Sequence, residues 1–520
     1  MKKWLLFGRE KKSRKFWYTL VGLVLLLFCS FFIILFLSIK PQNLNDLFFN
    51  NWTCNTFEND KNELVESVKP DKKWILIGDE FTKEEKLVIL KVKLADKATR
   101  YFDRPDSVKI FYELVNTENE QLTDSVVSGY FATSSLIHVG ELLFEEKINI
   151  SSLPVGEYRV NLKAQFDCGE SLAFFENIFI SYPLYVVWSF DWEGYAVKNE
   201  YLEKIDALTE KHDNFPLSHV INPRLFITKT IPQAQRDRMK DWLVERKNNK
   251  DHSLGLHLHM FYENLEAAKI PIPKKDILDL EADFYASVTT SPTSSPVSSS
   301  STTTLFDASK LQKKQLYDLV YWGTKYDDGY DILVTNFGYR ELDKIVKWSK
   351  KLFTELGFGT PTTYRSGGWF ADSTTLEVLQ DNGFTVDTSG RTKYNFGTNK
   401  IPGFWDLSIT SQPYQPNVKD QNSAMAPNMK IWEFPNNGGD SWWYTAEQMI
   451  ERFNANWGVV GKPLEKRTVV VFLSHPDWFH VDEPKVDKLF NYTDAYLNSR
   501  DNGPVSYQNL EKLYTIWTQF

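Results

Sequence analysis

The sequence contains little cysteine and no excess of positive charge. Only three of its 520 residues are Cys. Cys29 falls inside a long apolar run, so Cys54 and Cys168 are the one candidate pair for a disulfide outside that run. Lys and Arg number 60 against 68 Asp and Glu, which gives a net charge of −8. A protein whose main partner is a nucleic acid needs a basic face, so this charge argues against that class of function.

An uncharged apolar run at residues 16–39 is long enough to cross a bilayer. Many Lys and Arg residues precede it in the tail 1–15, whereas only Lys40 follows closely. The positive-inside rule therefore predicts a cytoplasmic tail and an extracytoplasmic remainder. No small-x-small cleavage site ends the run, which favours an uncleaved membrane anchor over a removed signal peptide.

The chain after the anchor changes pattern twice. Residues 40–72 are polar and predict a linker. Residues 73–182 alternate apolar and polar side chains, as at Tyr158, Val160 and Leu162, and contain turn signals. This pattern is typical of half-buried antiparallel strands and predicts an immunoglobulin-like β-sandwich.

Residues 183–520 alternate apolar strand-like runs with helical patterns, beginning with the near-continuous apolar run 184–188. Such alternation predicts an α/β domain built on a parallel sheet, either a barrel or an open sheet. The insertion 287–304 consists almost wholly of Ser, Thr, Pro and Val. It cannot supply a core, so we expect disorder there, either as a flexible excursion or as a carrier of O-linked sugars.

Polar side chains stand where the predicted strands of this domain end. Because the carboxyl ends of parallel strands meet on one face, we expect these groups to gather there. Two imidazoles and a carboxylate suit Zn²⁺ or a similar ion and leave a position for water. A further carboxylate can accept the proton of that water, and a histidine can protonate a leaving group. The candidate residues are Asp191, Glu193, His257, His259, Arg365, Asp387 and His475.

Five short motifs containing these residues, in this order, resemble those of the polysaccharide deacetylases, also called the NodB-homology or carbohydrate esterase family four enzymes. They are Ser-Phe-Asp at 189–191, His-Ser-Leu-Gly-Leu-His at 252–257, Tyr-Arg-Ser-Gly-Gly-Trp at 364–369, Val-Asp at 386–387 and Leu-Ser-His-Pro at 473–476. The resemblance covers residues 184–520. It implies an irregular (β/α) barrel, a divalent metal, and removal of N- or O-acetyl groups from glycans.

The same resemblance implies roles for single residues. Asp191 would be the catalytic base, Arg365 would orient it, and His475 would be the catalytic histidine. Asp387 would support His475. His257 would bind the metal.

Two positions depart from the family pattern. Trp192 separates Asp191 from Glu193, which would replace the usual metal-binding Asp. Phe261 stands four residues after His257, where the family has its second metal histidine, and His259 stands at plus two. We therefore expect Glu193, His257 and His259 as ligands of a divalent ion, with zinc the first candidate.

The sequence thus predicts a membrane-anchored, extracytoplasmic, metal-dependent deacetylase of acetylated glycans. Trp369 suits a sugar-binding platform and a core position equally well. Two alternatives stay open. The altered metal motif is compatible with a non-catalytic glycan-binding protein on the same scaffold, and the metal site could also hydrolyse another amide or ester.

Overall fold

The structure, a computed structural model, describes residues 54–102, 107–117, 126–130, 142–270, 329–330, 332–396 and 401–519. The predicted tail 1–15, the apolar run 16–39, residues 40–53 of the linker and the insertion 287–304 lie outside these residues. Within the part of the chain described, no helix is long and apolar enough to cross a bilayer. The predicted anchor therefore stays a prediction.

Contacts between residues divide the chain into two units. The described residues of the first unit fall in Met1–Asp71, Leu87–Leu153 and Tyr158–Ile178, and those of the second in Lys72–Lys86, Pro154–Glu157 and Phe179–Phe520. The predicted start of the α/β domain at residue 183 is close to the start of the last of these segments.

Strands in the first half of the chain alternate buried and more exposed side chains. In Gly156–Phe166, every second side chain from Tyr158 to Phe166 is buried, as the sequence pattern predicts. The strands are β1 (Val65–Pro70), β2 (Trp74–Leu76), β3 (Leu87–Leu94), β4 (Lys109–Asn116), β5 (Val126–Tyr130), β6 (Leu143–Asn149), β7 (Gly156–Phe166) and β8 (Gly169–Ser181).

Most of these strands pair in antiparallel fashion, whereas β2 pairs with β8 in parallel. β3 lies between β1 and β6 in one sheet, and β4 lies between β5 and β7 in another. The candidate pair Cys54 and Cys168 is joined by a disulfide, which confirms the expectation from the sequence. That these two sheets pack as an immunoglobulin-like sandwich stays a prediction.

The second half of the chain alternates strands and helices. Its strands are β9 (Leu184–Trp192), β10 (Ser218–Ile221), β11 (Ser253–Leu258), β12 (Thr363–Ser366), β13 (Val386–Asp387), β14 (Asn395–Phe396), β15 (Ile401–Pro402), β16 (Trp432–Glu433), β17 (Gly439–Asp440), β18 (Thr468–Ser474) and β19 (Val505–Tyr507). Its helices are α1 (Asn199–Lys211), α2 (Arg224–Ile227), α3 (Gln233–Asn249), α4 (Tyr262–Ala267), α5 (Tyr339–Glu355), α6 (Ser373–Asp381), α7 (Ala446–Trp457), α8 (Phe479–Thr493) and α9 (Leu510–Gln519).

A parallel sheet organises this half. Its strand order is β16-β13-β12-β11-β10-β9-β18-β17, and β19 also pairs with β9. Every residue of β9 and of β18 is buried, so both faces of these central strands are covered, and this explains their near-continuous apolar sequences. The predicted α/β class is confirmed. Among the described residues, β16 and β17 do not pair with each other, so the sheet is open at these two ends.

Two buried histidines, His219 in β10 and His252 directly before β11, are hydrogen-bonded to each other. Trp192 Nε1–H donates to His219 Nδ1 at 3.1 Å, and His219 Nε2–H donates to His252 Nδ1 at 3.0 Å. These two hydrogen bonds require both imidazoles to be neutral, because each Nδ1 accepts. Burial lowers the pKa of His219 well below its usual value, and the charge of Arg246 adds to this. Burial and the same arginine lower the pKa of His252 to about 3.

This pair should make the fold sensitive to acid. An unfolded chain protonates both histidines below about pH 6.5, whereas the folded chain keeps them neutral, so stability is lost as pH falls from that value toward 3. His252→Asn retains an acceptor for His219. We expect the loss in free energy of unfolding between pH 7 and pH 4.5 to be smaller in this variant by about 1–2 kcal/mol.

Urea unfolding followed by tryptophan fluorescence at the two pH values measures this loss. The exposed His480 provides a matched control, since His480→Asn should keep the full wild-type loss. An equal loss in wild type and His252→Asn would show that the pair does not control acid stability.

Candidate metal centre

Three predicted ligands converge at the carboxyl end of the sheet. Glu193 directly follows β9, His257 lies in β11 and His259 follows the same strand. The Nε2 atoms of His259 and His257 lie 2.6 and 3.5 Å from Glu193 Oε2. The three side chains are buried, and one ligand atom from each lies within 4.8 Å of the others. Residues on two strands separated by β10 thus meet at one point.

Hydrogen bonds orient both imidazoles. His257 Nδ1–H donates to the carbonyl of Arg365 and His259 Nδ1–H donates to the carbonyl of Tyr330, each at 3.0 Å. In the neutral rings these bonds leave the lone pair on Nε2, which faces Glu193, and among the described residues neither Nε2 meets the geometry of a hydrogen bond. Burial raises the pKa of Glu193, but the imidazoles outweigh it and hold that pKa well below its usual value.

The Nε2 atoms of His257 and His259, together with the ionised carboxylate of Glu193, form the donor set that Zn²⁺ and similar ions prefer. The residues present therefore fit the divalent metal that the sequence predicts. The backbone carbonyls behind the two histidines provide the outer hydrogen bonds usual around metal-binding imidazoles.

Glycine makes room for the second histidine. A Cβ atom at Gly367 would lie 2.6 Å from His259 Nδ1. Phe261, at the position where the resembled family has its metal histidine, instead packs its ring 4.3 Å from the guanidinium of Arg224. His259 rather than the residue at plus four thus reaches Glu193.

Asp191 is held by a buried arginine. Arg365 Nη1 donates to Asp191 Oδ1 at 2.6 Å and to the hydroxyl of Ser189 at 2.9 Å. Its Nε and Nη2 donate to the carbonyl and the hydroxyl of Thr388. A fully buried guanidinium needs these partners, and they fix its position. The predicted base and the predicted orienting residue are thus in contact.

His475 directly follows β18 and approaches Glu193 from that strand. Its Nε2 lies 3.4 Å from Glu193 Oε1, and its Nδ1 lies 3.8 Å from carboxylate oxygens of both Asp440 and Asp482. Asp482 also accepts the backbone N–H of His475. Burial lowers the pKa of His475, but the carboxylates outweigh it and raise that pKa well above its usual value. Burial also raises the pKa of Asp440 to about 6.

Asp387 lies in a different environment from the one that its predicted role requires. Its carboxylate accepts the hydroxyl of Ser389 at 2.7 Å and shares a hydrogen bond with the buried Glu433. Burial raises the pKa of both carboxyl groups. The charge of Arg365 lowers the pKa of Asp387 and of Glu433, but burial outweighs it. Among the residues that the structure describes, the carboxylates within 4 Å of His475 Nδ1 are those of Asp440 and Asp482.

A second grouping shares one ligand with the first. Carboxylate oxygens of Asp191 and Glu193 and a ring nitrogen of His475 also lie within 4.8 Å of one another. Asp191 is already bound to Arg365, and His475 is flanked by carboxylates. We therefore favour Glu193, His257 and His259 as the ligand set.

The site opens into a cavity of about 190 Å³. Asp191, Glu193, His259 and His475 line it. Aromatic side chains line it too, namely Tyr330, Trp369, Phe396, Trp442, Trp443 and Trp478. Trp442 and Trp443 are 46% and 55% exposed, whereas Trp369 is only 5% exposed and lies against the guanidinium of Arg391. The predicted platform residue thus borders the cavity as a largely buried ring.

Several contributors were not predicted from the sequence. Tyr330 stacks on His259 at 4.0 Å, and its hydroxyl donates to Glu193 at 3.1 Å. It follows the long insertion, where no pattern marks it. Asp440 lies in a two-residue strand, too short to be recognised by periodicity, and Asp482 lies in α8.

Comparisons with known proteins give matches among solved structures alone. No family model matches the sequence, and no curated protein matches it. The chain is similar to deacetylases of carbohydrate esterase family 4.

The matched structures include two deacetylases or esterases and one glucanotransferase. A family 4 carbohydrate esterase from Streptomyces lividans, in complex with acetate, is 9% identical over 61% of this chain and 89% of its own, with a TM-score of 0.27. The peptidoglycan deacetylase PdaC from Bacillus subtilis is 9% identical over 65% and 93%, with a TM-score of 0.27. A 4-alpha-glucanotransferase from Thermococcus litoralis is 11% identical over 65% and 40%, with a TM-score of 0.33.

The ligand set can be tested by elemental analysis of the purified full-length protein. We expect a bound divalent ion that is lost in His257→Ala and Glu193→Gln, because each change removes one of three donors. His475→Ala should retain the ion, as should the exposed control His480→Ala. Loss in His475→Ala with retention in His257→Ala would instead identify the second grouping as the metal site.

Proposed function

We propose that this protein is a metal-dependent deacetylase of N- or O-acetylated glycans. The observation that supports it is the convergence of three groups on one cavity. These are the ligand set Glu193, His257 and His259, the Asp191–Arg365 pair, and His475. Hydrolysis of an acetyl amide or ester needs an activated water, a base and an acid, and the cavity provides residues for each.

When bound by Glu193, His257 and His259, a divalent ion would polarise the acetyl carbonyl and lower the pKa of a water molecule. Asp191 lines the same cavity, and its Oδ1 is held by Arg365 at 2.6 Å. The fixed guanidinium orients the carboxylate of Asp191. Asp191 therefore accepts the proton of the attacking water.

His475 supplies the acid. Its Nε2 faces the cavity beside Glu193, and its Nδ1 faces Asp440 and Asp482. Carboxylates on this side favour a proton on Nδ1 and stabilise the imidazolium. His475 therefore donates the Nε2 proton to the sugar nitrogen or oxygen as the bond to the acetyl carbon breaks.

The cavity walls favour a sugar over a purely apolar acyl chain. Exposed Trp442 and Trp443 offer flat apolar faces at its rim, while carboxylates form its floor. Such a combination suits a ring with one apolar face and several hydroxyl groups.

A non-catalytic glycan-binding protein is the second candidate function. The observation that favours it is the 2.6 Å contact between His259 and Glu193, which can exist as a hydrogen-bonded ion pair without any metal. In that case the aromatic cavity would bind a glycan without hydrolysing it.

We also propose that the α/β domain acts outside the cytoplasm, attached to a membrane through residues 16–39. The apolar run and its basic flank support this. The disulfide between Cys54 and Cys168 supports it independently, since disulfides persist mainly in oxidising compartments.

The catalytic proposal predicts the effect of Asp191→Asn. Acetate release from acetylated glycan fragments should fall by about 10²–10⁴-fold, because the amide cannot accept the water proton. The control Asp241→Asn, at an exposed position of α3, should leave the rate unchanged. Acetate release that survives both chelation and Asp191→Asn would refute the mechanism. A metal-free protein that binds glycans with undiminished affinity would favour the second candidate.

The anchoring proposal predicts membrane fractionation. The full chain should remain in the pellet after an alkaline carbonate wash and be released by detergent. Leu26→Arg combined with Leu27→Arg places two charges near the middle of the run, each costing about 2.5–3.5 kcal/mol on insertion. The double variant should move largely to the soluble fraction, and an unchanged pellet fraction would argue against a spanning helix.

A further inference from the structure

Tyr330 contacts two of the three candidate metal ligands through three different groups. Its hydroxyl donates a hydrogen bond to Glu193 Oε2 at 3.1 Å. Its ring stacks on the imidazole of His259, with the centroids 4.0 Å apart and the planes 10° from parallel. Its backbone carbonyl accepts the Nδ1–H of the same imidazole at 3.0 Å. One residue thus contacts a carboxylate ligand and an imidazole ligand at the same time.

The two ligands that Tyr330 contacts are those that depart from the pattern of the resembled family. Glu193 would replace an aspartate, and His259 stands two residues after His257 rather than four. A glutamate has one more rotatable bond than an aspartate, so more conformational freedom is lost when its carboxylate is fixed. A metal-binding imidazole also needs an acceptor for its other ring nitrogen. Tyr330 provides the hydrogen bond that each of these two ligands needs.

A glycine allows the chain to approach the ligands closely enough for these contacts. Gly329 has a φ of +80°, in the left-handed region that residues with a Cβ rarely adopt. A Cβ atom there would lie 2.6 Å from the carbonyl oxygen of Met260 and 3.1 Å from the backbone nitrogen of Tyr262. The residue before Tyr330 therefore lies directly against the backbone that follows His259. This close approach brings the ring and the carbonyl of Tyr330 beside that imidazole.

Aromatic neighbours hold the ring of Tyr330 in turn. Its centroid lies 5.5 Å from that of Phe261 and 5.9 Å from that of Tyr195. Phe261 stands at the position where the resembled family has its second metal histidine. In this chain it packs instead against the residue that contacts the histidine at 259. Such packing restricts the rotamers of Tyr330 and keeps its hydroxyl directed at Glu193.

We propose that Tyr330 is a positioning residue of the metal site, which holds Glu193 and His259 in the geometry that binds a divalent ion. The inference rests on the ligand set of the proposed function and adds to it a residue that does not itself bind the metal. Hydrogen-bond partners of metal ligands typically contribute about 10–100-fold to metal affinity. Loss of the Tyr330 hydroxyl should therefore weaken metal binding, although all three ligands remain.

Metal affinity tests the inference independently of activity. The full-length protein in detergent is stripped of metal and titrated with Zn²⁺ in competition with a chelating dye. Tyr330→Phe keeps the ring and the carbonyl but loses the hydroxyl, so the Kd for Zn²⁺ should rise by about tenfold. Tyr330→Leu also loses the stacked ring, so its Kd should rise further, toward about 100-fold. Melting temperatures identify a variant that fails to fold, and Tyr330→Phe decides alone if Tyr330→Leu does.

Tyr339→Phe is the matched control. The hydroxyl of Tyr339 also donates to a carboxylate, that of Asp381, but the residue is exposed at the start of α5. Its loss should leave the Kd for Zn²⁺ unchanged. The visible absorption of the Co²⁺-loaded protein gives a second measurement, because coordination geometry determines its bands. These bands should shift in Tyr330→Phe and stay unchanged in Tyr339→Phe.

The outcomes separate this inference from the deacetylase proposal. A Kd for Zn²⁺ in Tyr330→Phe within about twofold of wild type would overturn the inference and leave the deacetylase proposal intact. Weaker Zn²⁺ binding by Tyr330→Phe, in a protein that releases no acetate from any glycan, would support the inference and count against the deacetylase proposal. A wild-type protein that binds no divalent ion would overturn both.

Discussion

The buried guanidinium of Arg365 is the interaction on which the site depends. It connects β12 to Asp191 and Ser189 on β9 and to Thr388 after β13, while its own carbonyl accepts the Nδ1–H of His257. A charge fully removed from water is stable only when its donors are paired. The same residue therefore fixes the base and one metal-binding imidazole.

Much of this arrangement could be predicted from the sequence because parallel sheets collect their polar residues at one end. Asp191, His257 and His475 each close an apolar run, and β9, β11 and β18 carry them to one place. The alternation of such runs with helical patterns also predicted the α/β class. Burial on both faces of β9 produces an apolar run that no other element type explains as simply.

The sequence could not identify the partners of His475. A two-residue motif, Val386–Asp387, resembles a family motif, but two residues determine no direction for a side chain. In the structure, Asp387 turns to Ser389 and Glu433, and the carboxylates near His475 come from a very short strand and from the face of a helix. Tyr330 is a similar case, since no sequence pattern marks it as a neighbour of His259 and Glu193.

The close approach of Gly367 to His259 has a consequence for how such sites diverge. A Cβ at position 367 would collide with the imidazole of His259. A histidine ligand at position 259 therefore requires a glycine at position 367, directly after the neighbouring strand β12. A chain that used position 261 instead would remove this clash, but a Cβ at position 367 would still lie 2.7 Å from the carbonyl oxygen of Leu258. Among relatives of this protein, a histidine at 259 should therefore occur with a glycine at 367, whereas a glycine at 367 can occur without that histidine.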